Sequence, residues 1–519
     1  MHSPVAASLL SVMLIGFALL SAPASVMALP GPNDIYVGMS PVADGGESSC
    51  EAPDYSVDDA DIQISLASAI ADVDHDNDVI IICEGGYLYS GDIATHDGDA
   101  VGSHPKITIS SDDGATVVLD GDSTIAHQLL SFQNTDVTIS GITLQRGGNE
   151  FGGGISVVST AGVHLLIVRD SSFHLNQATN GSAIYVENTD LSITNSAFGA
   201  TEDSADTGLV IEGENAASSN GGAIYATGTG TTVAAHIEIL NSTFNSNRAF
   251  GYGGAVMVNG HTTLSVTDTI FQDNQAGSVD SPNGCGGAIY LLNEDGAQIS
   301  RSEFSGNHAA YTGGAITSQT CHTLEEQHRE ATVEIQGSSF SENLADCAGG
   351  AVESLGLVVR ASVFSRNEAG TCAGGAIAIK DAPADSRVEL IGNQFIENSL
   401  TGDACCEGGA IYVWYESEGA GARPVIRANT FRRNSSSTSG GAITLRAVSS
   451  VRGVVRNVFW ANAAPRGGAI SLIYCQEHNE RFLSRRTERQ ILNANRFRRN
   501  SAEYRREVDI SRNADVCPG

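Results

Sequence analysis

Lysine is almost missing from this chain: among 519 residues only Lys106 and Lys380 occur, so positive charge is carried nearly throughout by Arg. Proline is scarce as well, at 12 residues against 58 Gly, and no Gly-X-Y period runs through the sequence, which excludes a collagen-like rod. Apolar residues at 41% exclude a disordered chain. The ten cysteines contain no Cys-x-x-Cys spacing, so no metal site is expected from them. Their even number fits disulfides formed in an oxidising compartment. Beyond the first 28 residues no apolar run reaches bilayer-spanning length, and no transmembrane segment is expected in the mature chain.

Those first 28 residues hold the apolar run "AASLLSVMLIGFALL" and end on "SVMA", the pattern of a secretory signal cut after Ala28. The mature protein is therefore expected to be secreted or displayed at a cell surface. The net charge of −32 is unevenly spread. Residues 421–519 hold 18 Arg against 7 acidic side chains, a balance of +11, while the remainder holds 10 basic against 53 acidic ones, a balance of −43. An acidic body repels nucleic acid, which is not expected as a partner, whereas an Arg-rich end attracts anions.

What the chain has in abundance is one motif. "FSGNHAAYTGGAI" at residues 304–316 recurs as "FNSNRAFGYGGAV", "FSENLADCAGGAV" and "FRRNSSSTSGGAI". Aligned on the aromatic ring, the series runs Phe173, Phe198, Phe244, Phe271, Phe304, Phe340, Phe364, Phe395, Phe431, Phe459 and Phe497. Asn stands three residues later in every unit except the second, where Thr201 falls. Five residues before the ring the side chain is always Val, Ile or Leu, from Val168 to Leu492, which reads as an inward position on a strand. Each unit then reads as strand, turn, strand and variable loop, and Gly-Gly with β-branched residues opposes helix. Inward positions that stay fixed while loops vary suit a parallel β-helix, in which equal residues lie in vertical files. Phe then fills the core, Asn forms a coil-to-coil ladder, and Gly-Gly makes a corner.

This Phe-x-x-Asn plus Gly-Gly-Ala-Ile repeat resembles the repeats of the polymorphic outer membrane proteins of chlamydiae and, more broadly, the pectin-lyase-like right-handed β-helix proteins, over roughly residues 150–510. The resemblance implies an all-β, single right-handed parallel β-helix and a surface-exposed adhesin. It also implies an alternative: lyases and hydrolases acting on acidic polysaccharides share the fold, and a lyase would need Ca²⁺ in a carboxylate cluster. No "WIDH", "GHG" or "DPHD" signature of those enzymes occurs. The membrane β-barrel that ends the chlamydial proteins has no counterpart in the sequence as given, so anchoring by that route is not expected.

The expected organisation is a signal peptide at 1–28, an N-terminal cap with irregular first coils at 29–150, and the repeat helix with its Arg-rich end at 151–519. "DIQISLASAIADV" places Ile62, Leu66 and Ile70 at helical spacing, reading as a short helix that caps the open N-terminal end. Cys50 and Cys83 flank it and are expected to pair. A Cys475–Cys517 bridge would pin the tail, and Cys347, Cys372 and Cys406 compete for one another on successive coils.

The non-catalytic reading makes adhesion, by binding an anionic glycan or a protein partner, the expected function. The candidate binding residues are Arg432, Arg433, Arg498 and Arg499 of the two "FRRN" motifs, whose planar forks suit carboxylate or sulfate. Trp414 of "IYVWYES" is the candidate stacking platform. No catalytic residue, metal ligand or cofactor is assigned, with Ca²⁺ entering only under the enzyme alternative. "DVDHDND" at 72–78 and "SDDGATVVLDGD" at 111–122 read as turns.

Overall fold

The computed structural model describes residues 34–40, 49–57, 61–73, 78–89, 96–98, 106–121, 127–199, 215–229, 235–278, 281–292, 296–318, 321, 332–383, 385–402, 407–415, 423–474, 485–503 and 508–512. Residues 1–28, where a signal peptide is expected, and Thr201, Cys406, Cys475 and Cys517 lie outside these residues.

One coil shows how the repeat is used. Its strands are Val425–Arg427, Thr430–Arg432, Ser435–Ser436 and Ile443–Arg446. Each pairs in parallel with the strand one coil away, so the described strands build four sheets of 15, 14, 10 and 14 strands, the first to fourth sheets in chain order. The chain is a single parallel β-helix. The sequence pattern suggested two strands per unit; the structure adds the two-residue strand of the third sheet, too short to show a period, and counts the run after Gly-Gly as the fourth.

The files expected from the repeat are present. All eleven Phe rings stack face over face, centroids 4.7–5.0 Å apart and planes within 11° of parallel. That spacing is the strand-to-strand distance, so the sheet dictates the stack. The Asn side chains form a continuous ladder, each Nδ2 donating to the next Oδ1 at 2.9–3.1 Å. The second unit is no exception: Asn215, beyond an insertion, accepts from Asn176 and donates to Asn247. Counting three residues from Phe198 had pointed to Thr201 because the insertion falls between the ring and its Asn.

A second ladder runs two residues before the Phe. It is Ser171, Ser196, Ser242, Thr269, Ser302, Ser338 and Ser362, then Asn393, Asn429, Asn457 and Asn495. The hydroxyl of each accepts from the backbone N–H one coil below, and the Asn side chains take over that role from Asn393 onward. At the Gly-Gly corner the first Gly is left-handed, as at Gly253 with φ +65°, and a Cβ on the second, Gly254, would lie 2.0 Å from the Gly287 carbonyl oxygen. No side chain fits there.

The N-terminal end is closed as expected by helix α1, Gln63–Ala71, which buries Ile62, Leu66 and Ile70. Cys50–Cys83 and Cys347–Cys372 are bonded, with Cα separations of 5.4 and 4.7 Å. Cys285–Cys321, not foreseen, is bonded as well. A second helix, α2 (Arg485–Ala494), replaces the aliphatic strand of the last coil and packs on Val454–Val455. It corrects one inward assignment: Leu492 is 38% exposed while Ile491 is fully buried, because a helix does not alternate as a strand does.

Candidate functional site

Alternation along the Phe strand turns the following residue outward. In the last coils that file is Arg432, Trp460 and Arg498, held in register by strand pairing. The Arg432 guanidinium carbon lies 4.4 Å from the centre of the Trp460 ring, a cation–π contact. One residue on, at the left-handed corner with φ +54° to +58°, the file is Glu397, Arg433, Ala461 and Arg499. Arg433 is tied to Glu397 at 2.8 Å, repeating the Glu342–Arg366 pair lower in the same file. Ala461 offers only a methyl, so the corner between Arg433 and Arg499 is a notch two coils high, about 9.6 Å at twice the strand spacing. Arg456, Arg496, Arg498 and Arg499 are exposed, and none makes a side-chain hydrogen bond or ion pair with the described residues.

The four sequence-predicted arginines therefore converge on one outer face, and Trp414 does not join them. Trp414 lies on the fourth sheet, in register with Arg446, whose guanidinium sits 4.4 Å over its ring. Arg446 also hydrogen-bonds buried Tyr412. Beside them is Glu407, whose Oε2 is buried without a hydrogen-bond partner. Burial pushes the Glu407 carboxyl up to about 7, against the opposing pull of Arg446. Burial, then the Glu407 charge, likewise raises Tyr412. The aromatic residue that does stand among the four arginines is Trp460. Lining up the residue after each Phe would have found it, since "FWAN" and "FRRN" occupy the same register.

Residues 74–77 of "DVDHDND" lie outside the described residues, and the described acidic side chains of the two stretches serve the fold. Asp72 accepts a hydrogen bond from Tyr55, and Asp120 pairs with Arg146 and accepts from Gln145 Nε2 at 2.7 Å. Asp112 and Asp113 precede a turn at Gly114, φ +73°. Among the described residues no three His, Cys, Asp or Glu side chains gather as a metal site requires, and no helix is long and apolar enough to cross a membrane.

Residues 268–291 and 301–319 match the Chlamydia polymorphic membrane protein (Chlamydia_PMP) repeat. The probable autotransporter YfaL of Escherichia coli (strain K12) is 29% identical over 162 residues, 28% of this chain and only 12% of that protein. Among solved structures, the Streptococcus pneumoniae surface protein and adhesin PfbA is 10% identical, covering 87% of this chain and 96% of that one at a TM-score of 0.37. A mannuronic acid specific family 6 polysaccharide lyase from human gut microbiota is 12% identical, covering 83% and 89% at a TM-score of 0.34. The chain is thus a parallel β-helix whose coils include repeats of the Chlamydia polymorphic membrane protein kind.

Proposed function

We propose that this protein is an exported, surface-displayed β-helix that binds an anionic glycan and is not a catalyst. The observation that carries the reading is the outer face of the second sheet at its last coils. There Arg432, Arg433, Arg496, Arg498 and Arg499 stand in register around Trp460, and from the coil of Glu397 upward that residue is the one carboxylate in the two files. Guanidinium forks bind carboxylate or sulfate in two-pronged fashion, and an indole offers a flat apolar surface to a sugar ring. Export and surface display are supported by the signal-like residues 1–28 and by the likeness to polymorphic membrane protein repeats and an autotransporter.

The test is a glycan array read at low and at physiological ionic strength. Binding should concentrate on anionic glycans, weaken steeply with salt, and fall in the Arg498→Ala/Arg499→Ala double variant. Salt-insensitive binding to neutral glycans would contradict it. Release of unsaturated uronate from pectin or alginate in Ca²⁺ would instead favour the lyase alternative.

A further inference from the structure

The Arg-rich face has a pattern finer than its net charge. Going up the axis, the outward file reads Arg432, Trp460, Arg498, and the corner file beside it reads Arg433, Ala461, Arg499. Both files are basic in one coil, uncharged in the next, and basic again in the third. Below them stand Ile396 and Glu397, where the pattern stops on an apolar and an acidic side chain.

We propose, resting on the glycan-binding reading above, that the preferred ligand is a linear glycan in which anionic and uncharged sugars alternate, lying parallel to the long axis of the coils. Successive coils rise by about 4.8 Å, comparable to the advance of one sugar in an extended chain, so neighbouring sugars meet neighbouring coils. Anionic sugars then face the Arg432/Arg433 and Arg498/Arg499 coils, and the uncharged sugar between them faces Trp460 and Ala461. The π face of an indole is electronegative, so it attracts the C–H face of an uncharged ring and repels a carboxylate set over it. A polymer charged on every sugar would place an anion at the Trp460 level, where neither file supplies a cation; the arginine of that coil, Arg456, stands at the other end of the strand, before Val458. Arg432, stacked on Trp460, and Arg433, tied to Glu397, are held in place before any ligand arrives, which lowers the ordering cost of binding.

The experiment compares hyaluronan oligosaccharides, which carry one carboxylate per two sugars, with galacturonate oligosaccharides of equal length, which carry one on each. Wild-type protein should prefer hyaluronan by about tenfold, a difference of about 1.4 kcal/mol. Trp460→Ala should weaken hyaluronan and spare galacturonate, and Trp460→Arg, which makes the file continuously basic, should reverse the preference. Equal affinities in the wild type, or an unchanged ratio in Trp460→Arg, overturns the proposal while leaving anionic glycan binding intact. Binding of neither oligosaccharide nor dextran sulfate would instead bring down the underlying reading. Polyglutamate bound as tightly as hyaluronan would point to an acidic protein and overturn both. Trp460 faces outward, so thermal unfolding should be unchanged; should a Trp460 variant unfold, Ala461→Arg makes the same charge test from the corner file.

Discussion

Asn343 shows what a ladder residue does with its hydrogen-bonding atoms. Its Nδ2 donates to Asn367 Oδ1 at 2.9 Å and to the Phe304 carbonyl at 3.0 Å, while its Oδ1 accepts from the Asn307 side chain at 2.9 Å and the Asn307 N–H at 3.1 Å. Truncation therefore orphans groups on both neighbouring coils in a site closed to water. Each buried orphan costs about 1–3 kcal/mol, so Asn343→Ala should lose roughly 3 kcal/mol or more in urea unfolding. Asn343→Asp should fare no better, because a carboxylate has no hydrogens to give Asn367 and Phe304. Glu407 behaves in the opposite sense, as a residue the fold holds at a cost. Burial pushes its carboxyl up to about 7 in the folded chain, from an ordinary value of 4.5. Between those values the folded chain holds a proton that the unfolded chain releases, so stability falls as pH rises from about 4.5 to about 7. The loss is on the order of 3 kcal/mol, and Glu407→Gln should flatten the curve of melting temperature against pH across that window.

At the scale of elements, the pattern of the Phe strand was legible because one face is wholly buried and its period is strict. Ten of the eleven aliphatic positions five residues before the ring face the core as read. The eleventh failed because α2 stands there, its stretch "RRTERQILNA" forming a helix with one apolar edge where the repeat predicts a strand. The helix lies over the last strand of the first sheet, whose backbone edge would otherwise offer itself to another chain. This predicts a clear difference between neighbours: Ile491→Ala should cost about 2–4 kcal/mol, whereas Leu492→Ala should be nearly neutral. Hydrogen exchange at Val454 and Val455 reads it directly, rising in the first variant and not in the second. The third sheet and the Ser/Asn ladder escaped for different reasons. Most strands of the third sheet have two residues and carry no period, and a polar position shared between hydroxyl and amide is not one letter. Similarly, the four arginines were visible as a repeated motif, while Trp460 shows only when the residue after each aligned Phe is compared from unit to unit.

For the whole molecule, the consequence of stacking is that each coil touches only the one below and the one above. Stability in such an array is close to a sum of coil terms and nearest-neighbour terms, so the reach of a core lesion can be predicted from its place in the stack. Removing one fully buried ring, as in Phe304→Ala, should cost about 3–5 kcal/mol. A second lesion should then depend on distance. Phe304 and Phe340 share a stacking contact at 4.7 Å, so truncating both loses that contact once, and the paired cost should fall short of the sum of the single costs. Phe244 and Phe431 share no neighbour, so their costs should add to within about 0.5 kcal/mol. The measurement is a pair of double-mutant cycles followed by hydrogen exchange, which reports each coil separately and does not depend on the array melting in one step. Equal coupling in the near and distant pairs would show that the coils unfold as one undivided body. Coupling confined to the near pair would mean that the Arg-bearing coils around Trp460 hold their shape whatever happens many coils below.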